Sequence, residues 1–184
     1  MSTNILDSGY AALRRGDPEA ALSYFQCAID QNPDQPQAYF ATAMAYLEQE
    51  KIDEAMQSLR DALNVDPTYV SARAYIGILL LRLHDVEGAQ RELERALCDD
   101  ATNLLVHIKY AEFYYCLGFY QRAVVLLEQG LKAPHRANEH VVTIARNLLM
   151  QARQKCKNII VRDPPDPCAI FQFVRWFLKK KRPI

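Results

Sequence analysis

The sequence predicts an all-α protein built from repeated pairs of antiparallel helices. The first observation is a set of alanines at one constant interval, which are Ala21, Ala55, Ala89 and Ala123. The second is that three more positions keep this interval, and they hold Phe25, Leu59, Leu93 and Leu127, then Ala28, Ala62, Ala96 and Gly130, then Gly9, Ala43, Gly77 and Ala111. A period of about 34 residues, with small residues where two backbones come close, is typical of helix-turn-helix repeats.

The period places the helices in order along the chain, and the turn residues agree with it. Pro33 and Pro67 end second helices, because proline lacks the amide that the next helical turn needs. Asp17, Asp53 and Asp85 fit the start of second helices. We expect the pairs near residues 3–15 with 19–31, 37–49 with 53–65, 71–83 with 87–99, and 105–117 with 121–132.

The period and the small-residue pattern resemble the tetratricopeptide repeat (TPR) over residues 2–134. The chain departs from that family near the start of each first helix, where tryptophan is common but Ile5, Tyr39, Arg73 and His107 stand here. The resemblance implies a TPR solenoid of four repeats in a right-handed superhelix within residues 1–137. The repeats would cover approximately residues 2–35, 36–69, 70–103 and 104–137. Arrays of this family usually bind other proteins.

A capping helix is predicted after the repeats, over residues 138–157. Its apolar residues at helical spacing are Val141, Ala145, Leu148, Leu149 and Ala152, and its polar outer residues are Arg146, Asn147, Gln151, Arg153 and Gln154. A repeat array needs such a terminal helix, because its last apolar face would otherwise meet water. Residues 158–168 then form a proline-rich hinge, and residues 169–184 form an amphipathic basic tail.

Composition favours one elongated domain. The chain has 184 residues, of which 50% are hydrophobic, and its formal net charge is zero. The charge is uneven, since the last ten residues carry five cations and residues 1–167 carry a net charge of about −5. The N-terminus shows no basic stretch followed by an apolar run. We therefore expect a cytoplasmic protein without a secretory signal.

Neither catalysis nor a bound metal or cofactor is predicted. The five cysteines are far apart and odd in number, which argues against a disulfide framework. Cys27, Cys98 and Cys116 are expected to be small packing residues between helices. His135 and His140 are five residues apart, a poor spacing for one helical face. With 6 glycines, most of them at repeat positions, a phosphate-binding loop is not expected.

The TPR resemblance implies a ligand site on the concave surface, which the first helix of each pair forms. Charges on that surface cancel, because Arg14 and Arg82 stand against Glu48 and Glu112. We therefore expect an extended or helical peptide with apolar anchors, bound by burial more than by ion pairs. For any single residue the alternative is packing between adjacent first helices. The predicted peptide-binding residues are Leu6, Tyr10, Leu13, Phe40, Met44, Leu47, Ile78, Leu81, Leu105, Ile108 and Tyr115.

Chaperone-binding TPR domains use lysines, an arginine and asparagines on this surface to hold a C-terminal carboxylate. The matching places here hold Leu6, Tyr10, Ala41, Ser71 and Tyr75. Without those donors a carboxylate would lose its water and gain little in return. Recognition of chaperone C-termini is therefore not expected.

The tail combines an apolar run with a basic end. The run is too short to span a bilayer, which needs about 20 residues, but it is long enough to lie on an anionic membrane surface. Two alternatives stay open, which are packing onto its own array and docking on a soluble partner. Nucleic acid is not expected, because the body has no basic face. The residues predicted to contact a membrane or partner are Ile170, Phe171, Phe173, Val174, Arg175, Trp176, Phe177, Leu178, Lys179, Lys180, Lys181 and Arg182.

Three hypotheses for function remain. The first is a non-catalytic adaptor or scaffold, such as an assembly factor, that binds a partner protein in the groove and contacts the cytoplasmic face of a membrane, or a membrane complex, through the tail. The second is a holding chaperone for an aggregation-prone client, with the tail packed on or plugging its own groove. The third is a structural subunit of a large assembly. Self-association into a homodimer also stays open.

Overall fold

The computed structural model describes residues 5–134 and 136–157, and within them it is all α-helical. The predicted hinge and tail (158–184) and His135 lie outside the described residues. Every predicted helix occurs, and its ends lie within two residues of the predicted bounds. The helices are α1 (Ile5–Arg14), α2 (Pro18–Gln31), α3 (Pro36–Glu48), α4 (Ile52–Val65), α5 (Val70–Arg82), α6 (Val86–Asp99), α7 (Leu104–Cys116), α8 (Tyr120–Lys132) and α9 (Glu139–Lys157).

The turn inside each helix pair has the same backbone geometry in all four pairs. The residue that follows the last helical turn has a positive φ, and these residues are Gly16 (75°), Glu50 (58°), His84 (64°) and Gly118 (85°). Two hydrogen bonds close each turn: Gly16 N donates to the Leu13 carbonyl (2.9 Å) and Asp17 N donates to the Ala12 carbonyl (3.1 Å) in the first pair. The same two bonds recur at the equivalent positions of each following pair. This is the Schellman ending of a helix, which favours glycine at the positive-φ position.

Polar side chains cap several helix starts. Asp17 accepts a hydrogen bond from Ala20 N at the start of α2 (3.0 Å), and Asp85 accepts one from Gly88 N at the start of α6 (2.9 Å). Asp53 lies in the first turn of α4, at the helix start where it was expected, and Lys51 is the N-cap of that helix and makes no side-chain capping bond. Asn103 caps α7 in the same manner as the aspartates.

Two compact units divide the chain, Met1–Leu79 and Leu80–Ile184, and the division falls inside α5. In the first unit, α2 packs on α1 and α3, and α3 packs on α4. Its core is dominated by alanines around the fully buried Phe25. A Cβ on Gly9 would collide with the Phe25 ring, so glycine is required at this contact.

The second unit has a core of larger side chains. Phe113, Leu93 and Leu127 are fully buried within it. The last helix, α9, packs on α8 and α7, and its five predicted outer residues are all exposed. Arg153 of α9 donates to Glu128 of α8 at 2.7 Å. This ion pair joins the two helices at their solvent-facing edge.

The position where the family often has tryptophan carries a buried polar residue in two repeats. Arg73 is 5% exposed and donates to the Pro67 carbonyl at 2.7 Å. His107, at the same position of the next repeat, is 4% exposed, and its Nε2 lies 2.9 Å from the Ala101 carbonyl oxygen. A carbonyl only accepts, so Nε2 carries the proton. Each side chain thus fastens the start of its helix to the loop that precedes it.

Candidate functional site

The first helices of the Met1–Leu79 unit leave most of the predicted binding residues open to a ligand. Leu6 is 7% exposed and belongs to the core, so it offers little surface. The other predicted residues of this unit are half-buried, with part of each side chain at the surface. They are Tyr10, Leu13, Phe40, Met44, Leu47 and Ile78.

The sequence of α3 explains why its large side chains remain accessible. The four buried residues of α3 are all alanines: Ala38, Ala41, Ala43 and Ala45. Alanines let α2 and α4 approach α3 closely, since no long side chain separates the helices. Phe40, Met44 and Leu47 are therefore left at the surface of α3.

Four rings lie near one another on this unit, and three of them, Phe40, Tyr69 and Tyr75, are in direct contact. The centroid of Phe40 lies 5.6 Å from that of Tyr69 and 5.3 Å from that of Tyr75, and both pairs meet edge to face. Tyr10 lies in electrostatic range of both tyrosines. Tyr75 contributes to the raised pKa of Tyr10, and Tyr10 contributes to the raised pKa of Tyr69. All four rings are half-buried. We call Tyr10, Phe40, Tyr69 and Tyr75 the aromatic face.

Burial and nearby charge raise the pKa values of two hydroxyls of this face, those of Tyr10 and Tyr69. Burial, then Tyr10 and then Asp66 raise the pKa of Tyr69 to about 12. Burial, with smaller effects from Tyr75 and Asp7, also raises the pKa of Tyr10. The raised pKa values of Tyr10 and Tyr69 favour their neutral forms, and one nearby carboxylate contributes to each shift.

Tyr69, Asp7 and Asp66 were not among the predicted binding residues. Tyr69 and Asp66 lie in the loop between α4 and α5, outside the first-helix positions that the family pattern supplies. Asp7 lies in the first turn of α1. An aromatic residue just before a first helix, beside an aspartate, is the sequence signal that could have pointed to them.

The Leu80–Ile184 unit presents a smaller set of predicted residues. Ile108 is 1% exposed and belongs to the core. Leu81, Leu105 and Tyr115 are half-buried, and the Tyr115 ring meets the Tyr120 ring edge to face at 5.0 Å.

The cysteines do not pack where they were expected. Cys27, Cys98 and Cys116 are exposed, so the prediction that they pack between helices is wrong. Cys27 directly precedes the buried Ala28, and this one-residue step turns its side chain away from the core. Partial burial and then Glu112 raise the pKa of the Cys116 thiol, which makes it a poor nucleophile.

The described residues contain neither a metal-binding group nor a helix that could cross a membrane. In residues 5–134 and 136–157, histidine, cysteine and acidic side chains form no group of three that could hold a metal ion. Among the helices in those ranges, none combines the length and the apolar character that crossing a bilayer requires.

The fold defines this chain as an all-α protein of repeated helix pairs with a terminal helix. Residues 6–75 match a family model described as "Tetratricopeptide repeat". The helix pairs continue with the same spacing beyond this match, to Lys132. Residues 6–75 thus carry tetratricopeptide repeats, which are typically interaction modules without catalytic activity.

Curated relatives share the repeats but are much longer. The TPR repeat-containing thioredoxin TTL4 of Arabidopsis thaliana is 29% identical over 104 residues, which is 56% of this chain and 15% of that protein. Human tetratricopeptide repeat protein 34 is 33% identical over 110 residues, which is 59% of this chain and 19% of that protein. The chain thus spans less than a fifth of the length of these relatives.

Solved structures show the same fold at low sequence identity. The APC/C hetero-tetramer Cut9-Hcn1 superimposes with a TM-score of 0.69 and 17% identity, covering 83% of this chain and 30% of that one. The first TPR domain of Spaghetti (RPAP3), bound to the HSP90 peptide SRMEEVD, gives a TM-score of 0.56 and 20% identity, covering 61% of this chain and 92% of that one.

Proposed function

We propose that this chain is a non-catalytic interaction protein that binds an apolar peptide or helix on the first-helix surface of the Met1–Leu79 unit. The observation that carries this proposal is the pattern of burial on α3. Its alanines are buried, and the larger side chains of Phe40, Met44 and Leu47 are only half-buried. Tyr10 and Ile78 add apolar surface on the neighbouring first helices. Covering such side chains stabilises a complex, because apolar surface leaves water.

The ligand we propose differs from the peptide in the RPAP3 complex, which ends in Asp. At the five places matched to the carboxylate clamp, this chain has no basic side chain and no asparagine. Leu6 and Ala41 are also buried, at 7% and 0% exposure. A terminal carboxylate would find no charged donor at these places. Apolar anchors, by contrast, would find Phe40, Met44 and Ile78.

Selection from a library of random 12-residue peptides tests this function. Peptides that bind the full chain should carry apolar residues at helical or alternate spacing, and Phe40→Glu and Ile78→Glu should each weaken their affinity at least ten-fold. Val125→Glu is the matched control, because Val125 is an exposed apolar residue of α8. Circular dichroism must show native helix content in all three variants. Peptides that bind Phe40→Glu as tightly as the wild type would place the site elsewhere.

The second part of the proposal concerns residues 169–184. Their seven aromatic or aliphatic side chains between Ile170 and Leu178, followed by a basic end, suit an interface with anionic lipid at the cytoplasmic face of a membrane. The basic character begins earlier, since α9 carries Arg146, Arg153, Lys155 and Lys157 on exposed positions. Arg146 and Arg153 pair with Glu139 and Glu128, so Lys155 and Lys157 are the cations of α9 that best support contact with anionic lipid.

Flotation with vesicles that contain phosphatidylserine tests the second part. The full chain should float, a version that ends at Lys157 should not, and salt should weaken the association. Replacing Lys179, Lys180 and Lys181 by glutamate should abolish flotation. Unchanged flotation of that triple variant would contradict the proposal, and vesicles of neutral lipid serve as the control.

A further inference from the structure

Two carboxylates lie in electrostatic range of the aromatic face. Asp7 lies in electrostatic range of Tyr10, and Asp66 lies in electrostatic range of Tyr69. Asp66 is held in position, because its Oδ1 accepts hydrogen bonds from Thr68 N (2.8 Å) and Thr68 Oγ1 (2.7 Å). Two negative charges therefore act on tyrosines of the aromatic face, Asp7 on Tyr10 and Asp66 on Tyr69.

The wider unit supports the same sign of charge. Residues 5–79 contain eleven acidic and five basic side chains, so their formal charge is −6. Among the five basic residues, Arg73 is buried and bonded to the Pro67 carbonyl. Arg14, the cation of α1, lies one helical turn from Tyr10, about 6 Å along the axis, and seven residues from Asp7, about 10 Å at 1.5 Å per residue. At physiological salt the separation from Asp7 exceeds the screening length of about 8 Å.

Aromatic faces attract cations through the negative charge above each ring, and arginine is the commonest partner. A guanidinium can also stack flat on a ring while its N–H groups donate to a carboxylate at the ring's edge. We propose that the aromatic face, with Asp7 and Asp66, binds an arginine side chain of a peptide. The apolar residues of the same peptide pack against Phe40, Met44 and Ile78. This inference rests on the proposed function, since it assumes that a peptide binds this surface.

A small-molecule probe tests the arginine subsite independently of any peptide. N-Ethylguanidinium and N-ethylurea have the same shape, and only the first is charged. In NMR spectra of the full chain, ethylguanidinium should move the ring resonances of Tyr10, Tyr69 and Tyr75, and ethylurea should not. Equal shifts with both probes, or no shifts with either, would overturn the inference.

A peptide pair gives the second readout. Any apolar-anchored peptide that binds the chain is prepared with arginine or with citrulline, its uncharged isostere, at the position nearest Asp66. The arginine peptide should bind about five-fold more tightly, the effect expected of a partly exposed cation–aromatic contact. Asp66→Asn should remove most of that preference, and Tyr75→Leu should reduce it more than Tyr75→Phe.

The chain contains a matched control for Asp66. Asp100 makes the same turn one repeat later, accepting from Thr102 N (2.9 Å) and Thr102 Oγ1 (2.8 Å). Asp100→Asn should leave the arginine preference unchanged. Equal affinity for both peptides would overturn the arginine subsite and leave the proposed function standing. Ring shifts with ethylguanidinium but no peptide binding would support the subsite and count against the proposed function.

Discussion

Helices α3 and α7 occupy the same place in their repeats, are both 13 residues long, and use their side chains in opposite ways. Helix α3 buries four alanines. Helix α7 buries eight residues, including Phe113, Tyr110 and Tyr114. Two repeats apart, Phe113 stands where α3 has Ala45, and the buried Ile108 stands where α3 has the half-exposed Phe40. Where the inward residues are alanines, as in α3, large side chains are left partly at the surface, and where they are large, as in α7, those side chains form core.

In the second unit, the aromatic side chains of α7 make contacts with the helices that surround it. Helix α7 is packed by α6, α8 and also α9, the terminal helix. Tyr110 donates to Glu94 of α6 at 3.2 Å, and Arg122 of α8 lies 5.4 Å from the centroid of the Tyr114 ring. Burial raises the pKa of Tyr110, and its bond to Tyr114 contributes in the same direction. The aromatic residues of α7 are therefore committed to contacts inside their own unit.

The largest expected effect comes from replacing one phenylalanine of α7 and one of α3 by alanine. Phe113→Ala should lower the free energy of unfolding by about 3–5 kcal/mol, because a fully buried ring leaves a cavity. Phe40→Ala should cost less than half as much, since its ring is partly in water, but it should weaken peptide binding. Urea unfolding followed by circular dichroism measures both. Similar losses for the two variants would contradict the contrast between α3 and α7.

Close backbone contacts should matter in both units. Gly9→Ala would push a methyl group into the Phe25 ring, and Gly130→Ala would place one 2.7 Å from His107 Cβ. Each substitution should destabilise the chain by about 1–3 kcal/mol, the usual cost of overpacking. Thermal unfolding gives the measurement, with Ser8→Ala as the control beside Gly9. If Gly9→Ala stabilises the chain, the ring of Phe25 has room to move and the contact is looser than described.

Alkaline pH should lower the free energy of unfolding, because Tyr69 of the aromatic face ionises. The pKa of Tyr69 is about 12 in the folded chain and about 10 in the unfolded chain, so folding favours the protonated phenol. Its contribution is complete below pH 10 and disappears as the pH rises to 12. We expect a loss of about 1–2 kcal/mol over that interval, reduced by solvent at the exposed part of the ring. Tyr69→Phe should flatten the pH dependence, and absorbance at the phenolate band should follow the titration. A tyrosine titration that ends near pH 10 would refute the burial argument.

The smallest expected effect concerns the helix start that lacks a cap. Lys51→Ser should stabilise the chain by about 0.5–1 kcal/mol, because serine can accept the hydrogen bond that Asp17 and Asp85 accept in neighbouring pairs. Asp17→Ala should lose a similar amount. Thermal unfolding compares the two, and Lys51→Ala shows whether removing the lysine charge alone accounts for any gain.

The fold was largely predictable from the sequence, because its determinants are local and repeated. Ala21 and its three equivalents fix the spacing, and Pro33 and Pro67 mark the exits. The binding surface was predictable only in part. Leu6 and Ile108 were chosen by family position, yet burial depends on which neighbours cover them, and a repeat position does not carry that information. Tyr69 lies in a loop, so only the folded chain places it beside Phe40.

The four Schellman turns have a consequence for how such a chain can change over evolutionary time. Gly16 and Gly118 adopt a positive φ at little cost, whereas Glu50 and His84 hold the same angle with a side chain attached. Glycine at either place is a single substitution that eases the backbone in a turn, at a position separate from the ring cluster and from the buried alanines. A lineage could therefore adjust how durable the array is without altering what it recognises. A newly duplicated repeat would also carry its own copy of the bend that the other helix pairs share.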